Sequence, residues 1–137
     1  MRKLTHNEAI SFLNDQYWHD SVLYEIRIIR TNSVDQAIII LDLITSEDGL
    51  ESNRCNLTFN DCYYIGTHMN GGVDAISDGE MIYQADAIID SPLIEQVMES
   101  WKNVLEVADI FHFSLKLSST DSEIDIVCKS VTITNDK

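Results

Sequence analysis

The sequence predicts a single α+β domain, 1–137, with an antiparallel sheet of about six to seven strands and two helices, about 6–15 and 91–106. Three observations carry this. Segments of period-two alternation, rich in Val, Ile, Tyr and Phe, outnumber segments of helical period. The links between these segments are short, which favours antiparallel pairing over crossovers. The strands come in runs and do not alternate with helices, as a doubly wound sheet would require. The 137 residues are 45% hydrophobic, with one Pro and five Gly, so the chain can bury one core and is not low-complexity. No internal repeat or linker divides it.

Thr5-His6-Asn7-Glu8 reads as a capping box, and Ala9, Ile10, Phe12 and Leu13 supply the apolar side of the first helix. Gln16 to Ser21 reads as an aromatic and polar connector. Val22, Tyr24, Ile26 and Ile28 then alternate with Leu23, Glu25, Arg27 and Ile29 as a strand. Residues 31–35 read as a turn. Ala37 to Ile44 is apolar on both faces and so predicts a central strand. Ser46-Glu47-Asp48-Gly49 is a turn signal. Arg54 to Phe59 is a third strand. Asn60-Asp61 either turns the chain into a hairpin or forms a bulge in one longer strand, since Cys62 to Ile65 continue the β character.

His68 to Gly79, with Gly71-Gly72 and Asp78-Gly79, reads as a loop with one helical turn at Val73–Ile76. Met81 to Ile89 is another strand. Ser91 caps the second helix, Pro92 stands where its missing N–H costs nothing, and Ile94, Val97, Met98, Trp101 and Leu105 share one side. Ile110 to Leu117 begins a strand. After the polar connector 118–122, Ile124, Ile126 and Cys128 alternate. Val131 and Ile133 follow after a one-residue change of phase, which predicts a β-bulge near Lys129–Ser130. These last strands are close enough to form a hairpin.

Charge is the strongest functional signal. The net charge is −14, and residues 31–100 hold one base, Arg54, against thirteen acids. Such a field repels phosphate backbones and anionic membranes, which argues against nucleic-acid and membrane partners, and it attracts a basic protein. Acidity also serves solubility alone. No apolar run approaches the ~20 residues of a membrane helix. Met1 to Glu8 carries the basic residues of a signal peptide without the apolar stretch that follows them in one. Three Cys without a C-x-x-C pattern point to reduced thiols and a cytoplasmic location.

Catalytic and metal signatures are weak. Trp18-His19-Asp20 pairs an acid with an imidazole, but neighbours in an extended segment point opposite ways. The structural reading, an aromatic cap on the core edge, is preferred. As a functional site, the cluster serves equally as an aromatic anchor for a partner. His6, His19, His68 and His112 are scattered, and Cys55 and Cys62 read as small core side chains, so no metal is expected. The loop Asp74 to Glu80 departs from the calcium-loop pattern. There is no G-x-S-x-G, P-loop or G-x-G-x-x-G, and no cofactor or catalytic activity is expected. Among Tyr63, Tyr64 and Tyr83, the first two are adjacent in a strand, so one should be buried and one exposed. Tyr64 is a candidate interface anchor, beside the alternative of a cross-strand packing pair. Glu47, Asp48, Glu51, Asp74, Asp78 and Glu80 are the acids expected on loops and thus presented to a partner.

The runs Tyr17 to Leu23, Leu57 to Cys62 and Ser91-Pro92-Leu93-Ile94 resemble those of small acidic bacterial proteins. Some of these are encoded beside secreted polymorphic toxins and regarded as candidate immunity proteins. The resemblance covers most of the chain and brings no site residues with it. It implies a cytoplasmic antidote that binds and occludes a toxin domain. The expected function is therefore a non-enzymatic protein-binding module with an acidic surface, its contacts drawn from Trp18, His19, Glu47, Asp48, Glu51, Tyr64, Asp74, Asp78 and Glu80. The alternative is a small-ligand or enzymatic pocket near Trp18, His19 and His68.

Overall fold

The computed structural model describes residues 1–30, 35–69, 79–103, 108–118 and 120–135. In chain order these form β1 (Arg2–Thr5), α1 (His6–Asn14), β2 (Tyr17–Arg30), β3 (Asp35–Ile44), β4 (Ser52–Cys62), β5 (Tyr64–His68) and β6 (Glu80–Ile88). They continue as α2 (Pro92–Trp101), β7 (Phe111–Leu117), β8 (Glu123–Cys128) and β9 (Ser130–Asn135). The α+β class with an antiparallel sheet and two helices is as the sequence predicts, but the described residues hold nine strands and not six to seven, in the order β1-β9-β4-β3-β2-β6-β7-β8-β5.

The difference in number has physical causes. β1 is four residues with only Leu4 buried, too short to display a period. The long strands 52–68 and 123–135 are each broken by a kink, at Tyr63 and at Lys129. The connector expected at Gln16 to Ser21 belongs mostly to β2, which starts at Tyr17. α2 ends at Trp101 and not near 106, and residues 104–107 lie outside the described ones.

The kinks change how the sheet closes. Tyr63 N–H donates to Val127 O at 2.8 Å, and Lys129 N–H donates to Asn60 O at 3.2 Å. β4 and β5 thus run as one bent ribbon along a second bent ribbon made of β9 and β8. From there β7, β6, β2 and β3 return in turn to β4, so the pairing forms a closed ring. The bulge expected near Lys129–Ser130 is this break between β8 and β9. Of the two readings of Asn60-Asp61, the bulge in one longer strand holds, and Asp61 takes φ 54° there.

Inside the ring, Phe59 of β4 stacks on Phe113 of β7 with ring centroids 4.9 Å apart, and Trp18 packs on Phe113 at 5.5 Å. Ala37, Ile39, Leu41 and Leu43 of β3 face the same core, while Ile38 and Ile40 on its outer face are half-buried. α1 packs on β6, β1 and β9 through buried Ala9 and Leu13. At its N-terminus Thr5 Oγ1 donates to the Glu8 carboxylate at 3.1 Å and Thr5 makes no side-chain bond to the helix backbone, so a side-chain pair stands in place of the expected capping box. At its C-terminus the Asn14 amide donates to Ala87 O at 2.9 Å and accepts from Ala87 N–H at 2.8 Å, copying one pair of a missing strand. α2 lies outside the ring over β7 and β8, on a smaller cluster of Ile94, Val97, Ile110 and Val127. None of the described helices is long and apolar enough to cross a membrane.

Candidate functional site

The start of β2 is irregular. Tyr17 pairs with Ile44 and Val22 with Asp42, so residues 18–21 face Leu43 alone. Asp20 absorbs the surplus with φ 72°, a left-handed conformation that Asp tolerates better than most residues. Buried Ser21 replaces the lost backbone partners: its hydroxyl donates to Tyr17 O at 2.7 Å and accepts from Ile44 N–H at 3.0 Å. The bulge turns Trp18 inward and His19 and Asp20 outward. It also overrides the alternation expected of an extended segment, because His19 Nδ1 comes within 3.3 Å of Asp20 Oδ1.

The β3–β4 turn is built around Asp48. Its Oδ1 accepts from the Ser46 hydroxyl at 2.6 Å and from Leu50 N–H at 3.0 Å, while Gly49 takes φ 75°. These donors, the Ser46 hydroxyl foremost, hold the Asp48 carboxyl below the usual aspartate value. A lowered value in the fold means the turn gains from the carboxylate above the ordinary aspartate range and loses that gain as pH falls through the lowered value. The Leu50 amide proton resonance is therefore expected to move upfield on acidification, with a midpoint below the ordinary aspartate value. Asp48→Ala should abolish the movement; an unchanged titration would refute this role.

Between the bulge, this turn and β6 lies an open cleft of about 490 Å³. Its walls bring together Tyr17, His19, Asp20, Glu47, Asp48 and Tyr83. Tyr83 is 53% exposed, and its ring meets the His19 ring edge-on at 6.0 Å. The lining contains three carboxylates and no Lys or Arg. The nearest candidate counter-charge in sequence, Arg54, is already committed: its Nε donates to Asp42 Oδ1 at 2.7 Å and its guanidinium lies 4.0 Å over the Tyr24 ring. That pairing, led by the Arg54 hydrogen bond, holds the Asp42 carboxyl low, and the bond from Tyr24 to Asp42 raises the Tyr24 phenol.

The sequence-predicted residues divide. His19, Glu47 and Asp48 meet at the cleft, and Glu51 is exposed on the same turn. Trp18 also borders the cleft. It is 4% exposed and donates Nε1–H to Leu13 O at 2.6 Å, so it is a core residue and not a surface anchor. Glu80 is not a freely presented loop acid: it opens β6 and accepts from Thr120 N–H and Oγ1 at 2.8 and 2.7 Å, clamping the β7–β8 turn. Tyr64 is exposed and Tyr63 half-buried against Trp101, as alternation requires, but Tyr64 stands on β5, apart from the cleft, with its ring over Gly66. His68 lies at the end of β5 opposite Glu123 and does not join Trp18 and His19. Asp74, Asp78 and the helical turn expected at 73–76 lie outside the described residues. Tyr17, Asp20, Tyr83 and Gln84, which sequence reasoning did not select as contacts, also line the cleft.

Sequence reasoning also missed a buried polar chain. His112 is 9% exposed, with Nε2 2.7 Å from Asp125 Oδ1 and Nδ1 3.0 Å from Ser91 Oγ. An Nε2–H tautomer satisfies every member: the ring donates to Asp125 and accepts the Ser91 hydroxyl, whose oxygen accepts Ile94 N–H at 3.2 Å. Ser91 is buried and serves as the helix cap, so these residues fasten α2 to β7 and β8. The only sequence signal was a His on a strand face that a helix covers. No cluster of three or more His, Cys, Asp or Glu among the described residues could hold a metal ion. The chain matches no family model, no curated protein and no solved structure.

Proposed function

We propose that the protein is a non-enzymatic binding module that occludes a basic protein partner, in the manner of a cytoplasmic immunity-type antidote to a toxin domain. The supporting observation is the cleft where Asp20, Glu47 and Asp48 meet the exposed rings of Tyr17, His19 and Tyr83 with no cation in the lining. Carboxylates beside aromatic faces favour a Lys or Arg side chain by charge and by cation–π attraction. Arg54, the single base of residues 31–100, is neutralised by Asp42, so it does not offset the surrounding field. Such a field accelerates encounter more than it strengthens the final complex.

The test is capture from a lysate of the source cells at low and at high salt, with wild type and with Glu47→Lys/Glu51→Lys as bait. Both side chains are exposed and neither makes the bonds that shape the turn. One dominant basic protein, held at low salt, released at high salt and lost by the variant, is the expected result; association measured with that partner should slow about tenfold or more. Equal capture by both baits would overturn the reading. A second reading rests on the paired His19 and Asp20 in the same cleft, which suit a small polar ligand. A thermal shift with such a ligand, abolished by His19→Ala and untouched by the charge reversals, would favour it.

A further inference from the structure

The ring closes where two kinks meet, and both kinks carry a cysteine. Lys129 N–H bonds Asn60 O and Tyr63 N–H bonds Val127 O. In an antiparallel ladder these two bonds bracket a non-hydrogen-bonded site, where facing side chains approach most closely. On one side of that site stands Cys128 alone. On the other stand two residues, Asp61 and Cys62, the extra residue accommodated by the left-handed Asp61. Opposed residues at such a site have Cα atoms about 4.5 Å apart, inside the range a disulfide spans. The Cys62 thiol donates to Phe59 O at 3.3 Å, and the Cys128 thiol is pushed up by burial first and by the neighbouring Cys62 second. Both are free, Cys62 half-buried and Cys128 buried.

We propose that Cys62 and Cys128 form a disulfide site that responds to a peroxide. The Cys62 sulfur, the more accessible, attacks one peroxide oxygen; the O–O bond breaks, a sulfenic acid forms and the first water leaves. The Cys128 sulfur then attacks the sulfenic sulfur, the S–S bond forms and the second water leaves. Two thiols lose two electrons and two protons, and one hydrogen peroxide becomes two waters. Cys55 takes no part. It is buried on β4, facing Asn135 of β9 and Leu41 of β3, with no thiol opposite it. The bond would join the two bent ribbons at the seam of the ring.

The test uses the native full chain treated with hydrogen peroxide, then unfolded and blocked with an alkylating reagent and measured by intact mass and peptide mapping. The expected product has lost two hydrogens, retains Cys55 as its one alkylated thiol, and yields a single crosslinked peptide pair containing Cys62 and Cys128. Cys55→Ser should give the same crosslink, and Cys62→Ser should give none. Over-oxidation of Cys62 with Cys128 still alkylated would overturn the proposal. So would three unreacted thiols under conditions in which the urea-unfolded chain is oxidised. Because the readout is a bond in the unmutated protein, it does not depend on a variant that must fold.

Discussion

Phe113→Ala is expected to lower the free energy of unfolding by about 3–5 kcal/mol. The ring is fully buried, stacks on Phe59 across the interior and supports Trp18. Alanine would leave a void that the surrounding strands cannot fill by local collapse, because each is held on both sides by ladder partners. Domains of this size are stable by roughly 5–15 kcal/mol, so the variant should lie near the limit of folding. Urea unfolding followed by tryptophan fluorescence would measure it, with Trp18 as a reporter in contact with the void. Phe113→Leu keeps most of the volume and should cost far less. A loss below about 1 kcal/mol for the alanine variant would be incompatible with a cross-ring stack of this kind.

His112→Ala should cost about 2–3 kcal/mol and act on α2 before the ring. The imidazole is the only link in the Ser91–His112–Asp125 chain that bonds both other members. Its loss leaves the Ser91 hydroxyl without an acceptor in a buried setting, whereas Asp125 reaches water at its exposed edge. Outside that chain, α2 is held by the small apolar cluster around Ile94 and Val97. Amide exchange should therefore accelerate across 92–101 while β3 and β4 keep their protection. Uniform acceleration over the whole protein would show that α2 and the ring open as one unit. His112→Gln, which keeps a donor and an acceptor, should recover part of the loss.

Most of the strands were legible because their inward positions are strictly apolar, as in Ala37, Ile39, Leu41 and Leu43. The second helix announced itself through Ser91 and Pro92, whose cap bond to Ile94 N–H is present. The kinks were legible as a change of phase but not as a closure, since local periodicity carries no record of which strand lies alongside. β1 was too short to register. The candidate cleft was half visible: turn chemistry placed Glu47 and Asp48 on a loop, and His19 stood out by type. Its assembly depended on the left-handed Asp20 and on Ser21 standing in for backbone, neither of which has a sequence signature. The inward turn of Trp18 follows from residues 18–21 facing a single residue, and it fits the core-edge reading preferred for that cluster over the anchor.

The closed ring also constrains how the chain can be made. β9 is central, between β1 from one end of the chain and β4 from its middle, and Asn56 meets Thr134 across that junction. During synthesis β2, β3 and β4 can pair as successive hairpins, but the outer edge of β4 stays bare until Ser130 to Asn135 emerge. A nascent chain thus carries an unpaired strand edge from the completion of β4 until β9 emerges, the feature that invites wrong pairing with another chain. Closure between partners so distant in sequence places folding toward the slow, millisecond-to-second end for small domains.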